Sequence, residues 1–159
     1  MNGKIPKRIV IEEDTGCYGP ITYYTKLIIK KNSISYQEAT EGDIMFYPDR
    51  KHSYKYIVAS SLFEAKFNEL VDEITKVDEE LKNGTRWKMN CYDAGINKIT
   101  IYYDNRTKLE LYFYHSLFNN NYDNIANIIR SMIPSCEKIS GYLMTDDERA
   151  SSLFCKLRV

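Results

Sequence analysis

Six apolar residues, Phe63, Phe67, Leu70, Ile74, Val77 and Leu81, recur at alternating intervals of four and three through the middle of the chain. That period predicts one helix of about 20 residues, roughly 30 Å long, with a single apolar stripe. Such a stripe needs an apolar surface to bury it, and Val71 and Leu62 widen it. Ser60 and Ser61 mark the start, because Ser61 and Glu64 have the spacing of a capping box. Lys82-Asn83-Gly84 marks the end, glycine being the residue that takes a left-handed conformation without steric cost.

The segments on both sides of this helix read as β-strands. Before it lie Arg8 to Glu12, a turn-rich stretch from Asp14 to Pro20, and two β-branched and aromatic runs, Thr22 to Lys30 and Ser33 to Ala39. Lys31-Asn32 between those runs reads as a tight hairpin turn, since Asn tolerates positive φ. Asp43 to Tyr47 and Ser53 to Val58 are further strand candidates. After the helix come Arg86 to Tyr92, Lys98 to Tyr103, a turn at Asp104-Asn105-Arg106, and Lys108 to Tyr114. A second helix is expected where Ile125, Ile128, Ile129, Met132 and Ile133 form one face, with Asn120 or Asn121 as cap, Asp123 in the first turn and Pro134 as the stop. A last helical turn is read from Asp146 to Phe154, with Thr145 and Glu148 as its box. Strands, helix, strands, helix predicts an α+β fold: a mainly antiparallel sheet with two main helices packed on one face, in two β-then-α units near 22–83 and 86–134. At 159 residues the expectation is a single globular α+β domain over 1–159.

Composition removes several classes of function. With 43% hydrophobic and 28% charged residues the chain is not of the disordered type. Its 22 basic and 22 acidic residues cancel, which argues against a wholly basic polyanion binder. No apolar signal core follows Met1, and no apolar run approaches the roughly 20 residues that span a bilayer. Cys17, Cys91, Cys136 and Cys155 form no Cys-x-x-Cys pair and have only two histidines to assist them. The expectation is a cytoplasmic protein with reduced thiols, no membrane association, no metal and no cofactor.

The neutrality hides a partition. Residues 62–82 carry three lysines against seven acids, a net charge of −4. The β-rich stretches 22–58 and 83–121 carry +2 each, from six basic against four acidic and five basic against three acidic residues. Fourteen tyrosines cluster in the strands, as at Tyr23-Tyr24, Tyr54 and Tyr56, Tyr102-Tyr103, and Tyr112 and Tyr114. Neighbours in a strand face opposite sides, so one ring of Tyr102-Tyr103 must point away from the core. An aromatic surface beside an acidic helix reads as a non-enzymatic protein-binding or inhibitor module of the immunity or anti-defence type. Its contact residues are then Glu69, Asp72, Glu73, Glu79, Glu80, Tyr54, Tyr56, Tyr102 and Tyr112, and the partner class is a basic nucleic-acid-processing enzyme met by carboxylates in place of phosphates. Monomer and homodimer are both compatible with this reading.

Two alternatives compete with it. Arg50, Lys51, Tyr54 and Lys55 interleave basic and aromatic residues on one strand, which fits a single-stranded nucleic-acid-binding domain. A small hydrolase centred on Cys17 or Asp14 is the other. Asp14-Thr15-Gly16 is similar to the tripeptide holding the catalytic carboxylate in aspartic proteases. Here Glu12-Glu13 precede and Cys17 follows, where that family has an apolar pair and a small residue, so the tripeptide reads as a turn. Cys17 would need His52 or His115 as its base. Asp146-Asp147-Glu148 fits a helix start, where acids complement the dipole. No phosphate-binding glycine loop or His-Glu-x-x-His motif occurs.

Overall fold

A computed structural model describes residues 4–14, 21–42, 50–57, 60–86, 96–114 and 123–132. Four strands come first: β1 (Pro6–Asp14), β2 (Ile21–Lys30), β3 (Ser33–Gly42) and β4 (Arg50–Ile57). The helix α1 (Ser61–Lys82) follows, then β5 (Ile96–Tyr103), β6 (Lys108–Tyr114) and the helix α2 (Asp123–Met132). The fold is α+β, and the strands form one antiparallel sheet in the order β4-β3-β2-β1-β5-β6. The strands expected at 43–47 and beyond Arg86, the caps Asn120 and Asn121, Pro134, and the last helical turn from 146 lie outside the described residues.

The chain divides into two compact units, Met1–Ser116 and Leu117–Val159. The first contains the sheet and α1. Its core is an isoleucine-rich block: Ile9 pairs with Ile29 and Ile101, and Ile11 pairs with Leu27 and Ile99, so alternation sends all six to one face. Each is at most 1% exposed, and burial of a side chain of this size contributes about 1.5–3 kcal/mol relative to an exposed one. The stripe of α1 packs on that face with Phe63, Phe67, Leu70, Val71, Ile74 and Val77 buried. Tyr103 shares the face, and burial pushes its phenol above the ordinary value, with the neighbouring Thr75 of α1 opposing. In the second unit α2 has its own apolar face, with Ile125, Ala126, Ile128, Ile129 and Met132 buried.

The ends of α1 show what local chemistry decides. Ser60 is the N-cap, its Oγ accepting from the Phe63 N–H at 3.1 Å, and Ser61 is the first helical residue. The expected Ser61–Glu64 box is therefore not formed: the cap lies one residue earlier, with Phe63 three residues on, and Glu64 takes a salt bridge from Lys31 at 2.7 Å. Leu62, expected to widen the stripe, is 70% exposed because its position falls outside the arc that meets the sheet. Gly84 has φ of 76° and ends the helix as expected, with open space where a Cβ would stand. The β2–β3 turn differs from expectation: among the described residues Arg106 alone, of the non-glycines, has positive φ, so Asn32 does not use the left-handed region. Arg106 lies in the β5–β6 turn, where Asn105 Oδ1 accepts from the Thr107 N–H at 3.1 Å.

Candidate functional site

Alternation along each strand assigns the remaining side chains to the face opposite α1. Arg8, Val10 and Glu12 of β1 pair with Lys30, Ile28 and Lys26 of β2 and with Tyr102, Thr100 and Lys98 of β5. Those β5 residues pair in turn with Lys108, Glu110 and Tyr112 of β6. Ser35 on β3 faces Ile28 and is paired to Lys55 of β4. This outer face thus carries Arg8, Lys26, Lys30, Lys55, Lys98 and Lys108 against the carboxylates Glu12 and Glu110, among residues whose side chains are described. Successive rows lie about 6.8 Å apart, two residues of an extended strand.

Ion pairing divides the six cations into two sets. Glu12 lies between Lys26 at 2.8 Å and Lys98 at 3.2 Å. The hydrogen bond from Lys26 is the chief reason that its carboxyl stays below the ordinary value of 4.5, with burial opposing and Lys98 assisting. The bond to Glu12 raises the Lys98 ammonium in return. Glu110 holds Lys108 at 2.9 Å and raises it likewise. The other set, Arg8, Lys30 and Lys55, is exposed and has no carboxylate partner among the described residues. The Arg8 guanidinium instead stacks 4.3 Å from the centroid of the Tyr102 ring, a cation–π geometry. Tyr112, two rows along, is 48% exposed.

The acidic helix is far less acidic in place than in sequence. Its own lysines bind three of the seven acids, Lys66 with Glu69, Lys76 with Glu73 and Lys82 with Asp78, at 2.7, 3.8 and 2.6 Å. Two cations from outside the helix take two more, Lys31 with Glu64 and Arg86 with Glu80, both at 2.7 Å. Asp72 and Glu79 are left exposed with no ion pair among the described residues. Seven residues apart, they lie on one line of the helix, opposite its buried stripe.

The other residues singled out by sequence are distributed as follows. Arg50, Lys51, Tyr54, Lys55 and Tyr56 lie on β4, an end strand of the sheet among the described residues. Lys55 is exposed, and positions 54 and 56 are paired with the buried Tyr36 and Ile34. Positions 54 and 55 therefore belong to opposite faces: 51 and 55 fall on the outer face, while 50 shares the parity of 54 and 56 on the other, so the interleaving splits the segment's lysines from its aromatic positions. Asp14 ends β1, while Cys17, Cys91, Cys136, Cys155 and His115 lie outside the described residues. Among the described residues no group of three or more His, Cys, Asp or Glu side chains is placed to hold a metal, and no helix is long and apolar enough to cross a membrane. Sequence reading missed Arg8, Lys98, Thr100 and Lys108 as surface companions. Their signal is the alternation itself: positions 8, 10 and 12, 98, 100 and 102, and 108, 110 and 112 share one parity and one face. No family model matches this chain, and comparison with curated proteins and with solved structures finds no match to either.

Proposed function

We propose that the protein is a non-catalytic binding module that holds single-stranded nucleic acid across the outer face of its sheet. The observation carrying this reading is one row of side chains: Lys30, Arg8 stacked on Tyr102, and Lys108 lie side by side on four adjacent strands. Cations that neutralise phosphates, set beside rings on which bases can stack, are what a sequence-tolerant single-strand surface requires. Among the residues whose side chains are described, six cations against two carboxylates favour a polyanion on this face even though the whole chain is neutral. The inhibitor reading draws its support from α1, where Asp72 and Glu79 are the acids without an ion pair among the described residues.

The test is fluorescence anisotropy of a labelled oligothymidylate titrated with the full chain. Binding that is lost in Arg8→Ala/Tyr112→Ala and kept in Asp72→Lys/Glu79→Lys supports the outer face. The inhibitor reading takes its place if the wild type ignores the oligonucleotide but binds a basic nuclease, and the Asp72→Lys/Glu79→Lys protein does not.

A further inference from the structure

Thr100 is the anomaly of the outer face. It is 0% exposed, and its Oγ1 is buried without a hydrogen-bond partner. A buried hydroxyl ordinarily finds a partner, because leaving one unmade is costly. Valine would fill the same strand position with the same shape and no such cost. The surroundings show what the hydroxyl can serve. Across the sheet Thr100 lies between Val10 and Glu110, and along β5 it lies between Tyr102 and Lys98. Arg8 covers the Tyr102 side, Lys98 closes the other, and Lys108 stands beside Glu110.

Resting on the single-strand reading above, we infer that Thr100 is the seat of one backbone phosphate. A phosphate oxygen over Thr100 accepts the orphan hydroxyl proton as a hydrogen bond. It draws Lys98 from Glu12, which keeps Lys26, and takes a second contact from Arg8. Of the two described carboxylates on this face, Glu110 is paired directly with Thr100 and has its charge offset by Lys108, while Glu12 lies one row along with Lys26. Access requires rotation of Lys98 and Tyr102, both partly exposed, with no change in the strand backbone. Ligand-free burial of the hydroxyl is then the cost of a contact completed on binding.

The experiment compares full-length wild type with Thr100→Val by anisotropy on oligothymidylate, oligoadenylate and oligocytidylate over a salt series, with thermal melts of the free proteins. Thr100→Val is expected to melt at or above the wild type and to bind all three strands roughly tenfold more weakly, the size of one hydrogen bond to a charged group. Its salt dependence stays that of the wild type, since no charge is removed. Thr100→Ser keeps the hydroxyl and binds as wild type, while Thr100→Ala repeats the loss. Unchanged affinity in Thr100→Val overturns the inference and leaves the outer-face reading standing. A loss confined to one base type also overturns it, by assigning the hydroxyl to base contact. Wild type that retains none of the strands removes both.

Discussion

The split of the outer-face cations into paired and unpaired sets makes the salt dependence of binding calculable. Arg8, Lys30 and Lys55 have no carboxylate among the described residues, whereas Lys26, Lys98 and Lys108 already hold Glu12 and Glu110. A paired lysine that meets a phosphate leaves a carboxylate behind, so its net neutralisation is small. The unpaired three should therefore dominate counterion release. Each phosphate neutralised on a single strand contributes about −0.7 to the slope of log affinity against log salt, so three contribute about −2. Over a rise from about 50 to about 200 mM salt, that slope amounts to a loss of roughly 20-fold. In the Arg8→Ala/Lys30→Ala/Lys55→Ala protein that share of the salt loss should vanish, leaving a shallower line. Anisotropy titrations of both proteins across the salt series measure the two slopes directly. Equal slopes would refute the assignment of binding to this face. A larger change from Lys26→Met/Lys98→Met than from the triple variant would refute the distinction between paired and unpaired cations.

Two further outcomes test the fold beneath the site. Ser60→Ala should lower stability by about 1 kcal/mol in urea melts, the usual worth of an N-cap, while Ser61→Ala should stay within a few tenths, since its hydroxyl is not the cap. Glu12, whose carboxyl is held below 4.5, contributes stability that is present above that value and lost as pH falls through its lowered value. Melts between about pH 6 and about pH 3 should show the wild type losing an advantage of order 1 kcal/mol over Glu12→Gln, and a constant difference would show that the Lys26 and Lys98 bonds carry no net stability.

Local chemistry made much of the fold legible. The β2–β3 hairpin, α1 with its glycine end, the β5–β6 hairpin and the apolar face of α2 follow from period and turn residues close in sequence. The cap lies one residue before Ser61 because either of two adjacent serines can cap, and it is Ser60 that has the extended backbone and accepts the Phe63 N–H. What was not legible depends on partners far away in the chain. The −4 helix loses two of its charges to Lys31 and Arg86, which no window over the helix includes. The same limit hid the candidate site. Arg8 and Tyr102 are read separately as a strand start and a strand aromatic, and only the β1–β5 register brings them together. Thr100 carries no signal at all in sequence, because a threonine in alternation with Lys98 and Tyr102 reads as an ordinary exposed strand residue.

The place of β1 in the sheet also sets an order of events during synthesis. It is the first strand of the chain, yet it lies between β2 and β5 and joins the β2–β3–β4 meander to the β5–β6 hairpin. Ile9 pairs with Ile29 near in sequence, but its other partner is Ile101. Bringing ends about 90 residues apart together costs about 4 kcal/mol of chain entropy before any contact forms. Both hairpins can therefore assemble early, whereas the seam between β1 and β5 closes late. Until β5 leaves the ribosome, one edge of β1 presents unpaired amides with Ile9 and Ile11 beside them. A nascent chain halted before residue 101 should thus be the species that seeks a chaperone or sticks to a neighbour, and the finished chain should not.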